Sequence, residues 1–459
     1  MEDTTHTMAG LIWYRNDYRV MNHSPLLAAR ERHEDLVAVI FECPEQWRKH
    51  HYSKRRQALR QQAIAALQHQ LKLLNIPLLY IEREDFKAMP LELLKICRKL
   101  NVTHIYFNRE YAYYERLRDA EVKDLLRDQK VTVVLKDDHI VVPPEMMPDK
   151  DLSLSTSFES YHTLWSELAQ PIKMGETPKP CPIRMDCASY TPRPSDPNCT
   201  AMESKAHRLL HQFSAEWLAQ GSPIKNAKQE MYSKLSPYIT LGVISIAQCL
   251  AIARKHDNEA AQQLTEGLNK RCYFRYAMHQ HPRIGRWKAF NRLEDSLIWK
   301  RDREVFTRWK KGETGYPLID AAMRELNATG WLSHDLRSLS ATFLSKNLMI
   351  DWRWGAKYFM KKLMDADYPS NVGGWQWAAS IGTIALPYFR LVDSKLEIEK
   401  LDPHTLYIKK WITELKSLPT KEIITPSNRS LLQARSYPEP VVDEMQAKMQ
   451  ALDFFSSLK

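Results

Sequence analysis

The chain of 459 residues lacks any run of 18 or more apolar residues, so nothing in it reads as a helical membrane span. Its opening, Met1-Glu2-Asp3-Thr4, is acidic and polar, without the basic and apolar regions of a secretory leader. Paired metal-binding cysteines are missing too. The seven cysteines (Cys43, Cys97, Cys181, Cys187, Cys199, Cys249 and Cys272) are odd in number and contain no Cys-x-x-Cys. That disfavours zinc and points to reduced thiols in a cytoplasmic protein, so no metal and no membrane partner is expected. Nor does a Gly-x-Gly-x-x-Gly follow the first apolar segment, which disfavours a dinucleotide cradle there.

What is present is ordinary globular composition, 44% hydrophobic and 26% charged, over a length that suits two or three domains. The net charge of +11 suits a polyanionic partner such as nucleic acid, although a generally basic solvated surface gives the same figure. Thirteen tryptophans are more telling, because an indole-rich core can hold an aromatic cofactor.

In chain order, residues 1–138 alternate short apolar runs with amphipathic stretches. Leu11–Tyr14, Leu36–Phe41, Leu78–Ile81, Thr103–Phe107 and Thr132–Leu135 read as five strands. Leu59, Ala63, Ala66, Leu67, Leu71 and Leu74 mark one face of an intervening helix. Strands alternating with helices predict an α/β domain with a Rossmann-like parallel sheet covered on both sides. Residues 139–203 are rich in Pro, Ser and Asp and read as a long connector. Residues 204–459 read as an all-α domain.

The most informative stretch runs from Gly315 to Trp377. Ile319, Ala322, Met323 and Leu326 share one helical face, Pro317 suits its first turn, and Asn327 to Gly330 reads as its stop. Leu332, Leu336, Leu339 and Phe343 form a second stripe, widened by Ala341, Leu344 and Leu348. Arg337, Asp351, Arg353, Asp365 and Asp367 sit in this apolar setting, so they must be paired or bound to a ligand. Gly373-Gly374 permits close backbone approach beside Trp375 and Trp377.

Taken together, Gly315-Tyr316-Pro317-Leu318-Ile319-Asp320-Ala321-Ala322-Met323-Arg324, Gly330-Trp331, Leu336-Arg337, Asp351-Trp352-Arg353 and Asn371-Val372-Gly373-Gly374-Trp375-Gln376-Trp377 resemble the flavin-binding region of the DNA photolyase and cryptochrome family. Trp13-Tyr14-Arg15-Asn16-Asp17-Tyr18-Arg19 is similar to that family's opening motif, and the resemblance spans nearly the whole chain. It implies flavin adenine dinucleotide (FAD) in the helical domain. Ser233, Lys234, Leu235 and Ser236 match the family's pyrophosphate-binding loop, with Tyr232 where a Thr is usual. Ser236 serves equally as an N-cap before Pro237. Arg337 and Asp365 match the ion pair beside the flavin ring; Asp367, two residues on, and Arg271, the Arg kept in the family's lesion-pocket helix, are expected cofactor contacts too. Asn371 matches the amide that faces the redox-active ring nitrogen. Trp375, Trp352 and Trp299 match a relay of three indoles. His50, after Trp47-Arg48-Lys49, and Glu115, after Tyr114, match residues that hold a second chromophore, the reduced folate 5,10-methenyltetrahydrofolate.

The wall that faces DNA in the family departs from pattern. Where dimer-repairing members carry a Glu and a Trp, this chain has Gly267 and Lys270. His334 replaces an Asn that contacts the flavin and the lesion region, which makes it a candidate cofactor contact, and Asp335 and Ser338 replace an Arg and a Met. Trp377 and Arg390 remain as a stacking face and a phosphate contact. Base flipping costs a few kcal/mol, met by stacking and edge hydrogen bonds, and loss of an indole platform removes about 1–3 kcal/mol per base. The resemblance and Asn371 imply a light-driven lyase acting on pyrimidine dimers in DNA, while the altered wall argues against the common dimer substrate; the alternative is a blue-light sensor without repair activity. A monomer is expected.

Overall fold

The computed structural model describes residues 9–147, 157–170, 174–182, 202–220, 232–290, 292–382, 391–425 and 436–456. The amino-terminal part runs β1 (Ala9–Trp13), α1 (Ser24–Arg32), β2 (Leu36–Glu42), α2 (Pro44–Lys49), α3 (Lys54–Leu73), β3 (Leu78–Glu82), α4 (Met89–Lys99), β4 (Val102–Asn108), α5 (Tyr113–Arg127) and β5 (Thr132–Lys136). All five expected strands form one parallel sheet in the order β3-β2-β1-β4-β5, with Ile12 aligned to Ala38 on one side and Tyr106 on the other.

The two-residue period of the strands divides their side chains between two cores. Leu11, Trp13, Val37, Val39, Ile105 and Phe107 face α4 and α5. Ile12, Ala38, Ile40, Leu78 and Tyr106 face α1 and α3, and their core continues without a break into the helical part as far as Tyr276. Both faces are covered, which is why these strands are near-continuously apolar.

Within the expected connector lies a helix, α6 (Phe158–Leu168), that the Pro- and Ser-rich composition did not announce. Tyr161 and Trp165 are buried along it, and Phe158, Leu164 and Leu168 pack beside them against the shared core, a helical stripe that the surrounding composition outweighed. The helical part then follows as α7 (Met202–Phe213), α8 (Ser236–Thr240), α9 (Ile246–Ala253), α10 (Glu259–Gln280), α11 (Arg303–Lys311), α12 (Pro317–Thr329), α13 (His334–Thr342), α14 (Trp352–Lys362), α15 (Tyr368–Ala378), α16 (Ser394–Leu401), α17 (Leu406–Trp411), α18 (Thr420–Ile424) and α19 (Glu444–Ser456). Among the described residues no helix is long and apolar enough to cross a membrane.

The sheet half positions the helical half through specific backbone contacts. Tyr18 N–H donates to Leu241 O at 3.1 Å, and Arg19 donates to Gly242 O at 3.1 Å. Gly242 has φ +61°, and a side chain there would run into the backbone of Asn16 and Asp17. From α3, Ser53 Oγ donates to Leu363 O at 2.8 Å and Arg56 Nε to Ala366 O at 3.0 Å. Arg56 also reaches Asn16 Oδ1 at 3.1 Å and lies 3.7 Å above the Tyr52 ring. The loop between α14 and α15, which carries Asp365 and Asp367, is thus clamped by a helix of the other half.

Arg56 is 3% exposed, so its deletion would strip Ala366 O of a charge-assisted bond in a dry setting. Arg56→Ala should lower stability by about 1.5–3 kcal/mol, read by urea denaturation, and Arg56→Lys should restore only part of it. An unchanged midpoint for Arg56→Ala would show that the clamp contributes nothing.

Candidate functional site

Three elements build the site: α10, α13 and α15, with α14 behind them. Asp367 is the N-cap of α15, accepting from Ser370 N–H at 3.2 Å and from the Ser370 hydroxyl. A carboxylate suits a helix start. The same group faces Arg271 at 3.1 Å and Arg275 at 2.6 Å, both from α10. Burial alone would raise the Asp367 pKa, but the two guanidiniums outweigh it and hold the carboxyl far below its ordinary range. Burial pushes Arg271 down to about 10, against the pull of Asp367, so it stays charged at neutral pH. Arg271 also donates to Thr240 Oγ1 at 3.1 Å, and Thr240 donates to Asp365 O at 3.1 Å, which ties α8 into the network.

Two residues earlier, Asp365 receives Arg337 Nη2 at 2.7 Å; Arg337 Nε is anchored to Leu332 O at 2.8 Å. The carboxylate is 1% exposed and the guanidinium 26%, so the pair runs from the interior to an open wall. Among the described residues Asp365 Oδ1 and Arg271 Nε are buried without a hydrogen-bond partner. A bound ligand is one way in which such atoms complete their bonding. One accepts and one donates, the complement of a polar ring edge or a ribityl chain. Asn371 Nδ2 donates to Ala356 O at 3.0 Å, which fixes its amide to α14 and leaves Oδ1 as an acceptor. On α15, Gly373 has no room for a side chain because the Phe274 ring of α10 fills it, while Gly374 faces open space. These residues accommodate a planar, polar-edged group such as a flavin.

The indoles lie behind this wall. Trp375 packs over Gly355 of α14, where any Cβ would strike its ring. Trp352 begins the same helix three residues earlier and is 0% exposed. Trp299 stands beside that helix start, since Lys300 N–H donates to Met349 O at 2.9 Å. The three predicted tryptophans therefore string along one end of α14.

The outer wall is as unusual as the sequence suggests. Lys270 is paired with Glu266 at 2.6 Å and lies 5.6 Å from the Phe158 ring. Phe158 also meets Trp377 at 5.9 Å, and Phe274 meets Trp377 at 6.0 Å. His334, Asp335 and Gly267 are exposed at the rim. Of the phosphate-loop residues, Ser233 and Ser236 are half-buried and Lys234 points to solvent, with φ +49°. Leu235 is buried in the sheet core, so it offers the site only its backbone. Ser236 Oγ accepts from Trp331 Nε1 at 3.3 Å, and the Tyr232 ring meets Trp331 at 5.5 Å. Arg390 lies outside the described residues.

His50 and Glu115, far apart in sequence, meet at 2.9 Å, both buried. Among the described residues Glu115 Oε2 has no hydrogen-bond partner. Glu115 lines a small cavity of about 60 Å³ together with Asn16, Tyr52, Arg56, Asp367 and Tyr368 among others. Sequence reasoning missed Arg275, Thr240 and Phe158. Arg275 shares the helical face of Arg271 one turn on and was readable as an i, i+4 pair of cations; the other two carry no local signal.

The family model described as the FAD binding domain of DNA photolyase matches residues 264–457, and the one described as DNA photolyase matches residues 10–182. The chain is 32% identical to a deoxyribodipyrimidine photo-lyase of Vibrio cholerae, over 98% of this chain and 99% of the relative. It is 32% identical to that of Escherichia coli, over 99% of each. Among solved structures, a class III photolyase from Agrobacterium tumefaciens superposes with TM-score 0.83 at 24% identity, over 100% of this chain and 99% of that one. A Synechocystis cryptochrome superposes with TM-score 0.82 at 24% identity, over 98% and 99%. At that identity the likeness is one of fold.

The Asp367 network carries a pH signature. Its folded pKa lies below the unfolded value of about 3.9, so its contribution is complete above that value and is lost as pH falls toward the depressed folded pKa. Asp367→Asn should destabilise the protein at neutral pH, and the gap to the unaltered chain should shrink as pH falls below about 4. Denaturation midpoints across pH measure this. A gap that does not change with pH would mean that Asp367 acts without its charge.

Proposed function

The chain belongs to the DNA photolyase family, and on that premise we propose that it is a flavin-dependent, light-driven lyase that reverses pyrimidine dimers in DNA. The observation that carries the reading is the inner wall: Asp365 Oδ1 and Arg271 Nε, one acceptor and one donor, buried and unmatched beside an amide whose acceptor is free. FAD, when bound, supplies the light-absorbing centre that gives and regains one electron. Arg337 and Asp365 would hold its ring edge, Asn371 would present a neutral acceptor there, and Ser233, Lys234, Leu235 and Ser236 would meet its phosphates through hydroxyls and backbone N–H groups. Arg271 and Asp367 act by fixing the geometry of α10 against α15. His334 would close the rim.

Trp375, Trp352 and Trp299 are read as the route by which electrons reach the site, because each lies in or beside the first turns of α14. His50 and Glu115 are read as the anchor of a reduced folate antenna. The free Glu115 Oε2 can accept from a pterin amino group, and His50 holds the carboxylate in place. We place the protein in the cytoplasm as a monomer.

DNA would meet the outer wall. There Lys270 offers a cation where stacking is usual, and Trp377 keeps one aromatic face, edge-on to Phe158 and Phe274. With Arg390 as a phosphate contact, such a wall holds a flipped lesion more by charge and less by stacking. A dimer-repairing role is preferred to signalling because the relatives matched over nearly the full length are deoxyribodipyrimidine photo-lyases and because Asn371 is the residue that photolyases keep at this position.

Illuminating the reduced, flavin-loaded protein with dimer-containing DNA should restore monomeric pyrimidines. No restoration from a protein with its full flavin complement would end the repair reading. Lys270→Ala should weaken binding of the damaged strand and reduce the salt dependence of binding, read by titration at two salt concentrations. Equal affinity and equal slope would remove Lys270 from the DNA surface.

A further inference from the structure

The relay has an inner end at Trp375, and its outer end must be reachable by whatever refills it. Trp299 does not meet that requirement well. It is 7% exposed, and the Phe454 ring of α19 lies 5.0 Å from it. The adjoining Lys300 is tied to the same helix, donating to Gln450 at 2.6 Å.

Trp352 has another indole neighbour. Trp287 lies 6.4 Å away, centroid to centroid, with the planes inclined by 39°. Unlike Trp352, it is partly exposed. It sits just past the short 3-10 turn Pro282–Arg286 with φ +60°, a left-handed backbone that a bulky residue seldom adopts. Such strain persists only where the surroundings impose it. Here Arg353, from the first turn of the Trp352 helix, donates Nε to Trp287 O at 2.7 Å, and Tyr368 meets the Trp287 ring edge-on at 5.4 Å. The turn is thereby locked with its indole against Trp352.

Burial favours movement of a hole in this direction. The Arg353 guanidinium, 5.1 Å over the Trp352 ring, is balanced by Asp351 at 3.2 Å and Asp295 at 3.6 Å, but Trp352 is wholly buried, where a charged ring is costly. Lys357 stands 5.4 Å over Trp287, but that indole meets solvent, which screens the cation and stabilises a charged ring. Lys357, Arg286 and Lys288 make the approach electropositive, and the latter two are exposed.

We propose that Trp287, in place of Trp299, is the solvent-facing end of the indole relay, and that it is refilled by a small anionic thiol. The inference rests on the relay reading above. One electron passes from Trp287 to an oxidised Trp352, restoring Trp352 and leaving a Trp287 radical cation. That indole releases its Nε1 proton to water. A thiolate then supplies one electron and water returns the proton, and two thiyl radicals couple to a disulfide. The basic approach draws the thiolate in, and the proximity of Trp287 to Trp352 makes it an electron-transfer residue of the site.

The test is an oxidation footprint on the unaltered flavin-loaded chain, illuminated in air without thiol and compared with a dark sample. Peptide mass spectrometry should find light-dependent oxygen addition at Trp287 severalfold above that at Trp299. Addition at Trp299 equal to or above that at Trp287 overturns the proposal, and this reading does not depend on any variant folding. Photoreduction with a thiol provides a second arm. Trp287→Phe should lose most of its rate and Trp299→Phe little, each with unchanged flavin content; the reverse order overturns the assignment. Trp352→Phe should abolish both footprint and photoreduction. If Trp352→Phe leaves them unchanged, the relay itself fails, which separates that failure from an error about its outer end.

Discussion

A carboxylate taken out of water in a helical core is costly unless opposite charge and hydrogen bonds surround it. Asp367 meets that condition with two guanidiniums from α10, a serine hydroxyl and a backbone N–H of its own helix. Because Asp367 is also the cap of α15, the same set of bonds decides where that helix begins and how it lies against α10. Gly373 then lets the two helices close on the Phe274 ring. Asn371, Gly374, Trp375 and Trp377 inherit their positions from this junction.

The loop leading into that cap is held from the other half of the molecule. Ser53 and Arg56 bind the carbonyls of Leu363 and Ala366, on either side of Asp365. The sheet and the helices also share one apolar core, from Ile12 to Tyr276. The His50–Glu115 pair lies near the α15 start as a consequence of the same docking, since Tyr368 lies 5.4 Å from His50. That pair and the Asp367 junction are therefore joined by structure held through packing and charge.

Inner and outer walls of the site follow different rules. The inner wall keeps paired charges whose loss would leave a buried ion, so it tolerates little change. Residues at the rim, such as His334, Asp335 and Gly267, face solvent and can be exchanged at small cost in stability.

The five strands were legible because a sheet covered on both faces demands apolar runs, and α12 was legible because its stripe, proline and terminal glycine agree. The motifs of the cofactor wall were equally plain, since Asp365, Asp367, Asn371 and Trp375 lie within eleven residues of one another. α6 was missed although Phe158, Tyr161, Trp165 and Leu168 share one helical face, because the Pro- and Ser-rich surroundings outweighed that short stripe. Sequence determined by itself the element types, the cofactor class and the departure of the outer wall, because each depends on local pattern. Tertiary structure alone decided that Arg275 joins Arg271 on Asp367, that His50 meets Glu115, that Phe454 covers Trp299 and that Trp287 lies against Trp352. Those are contacts between segments distant in the chain, and through-space distance and burial leave no imprint on the neighbouring residues.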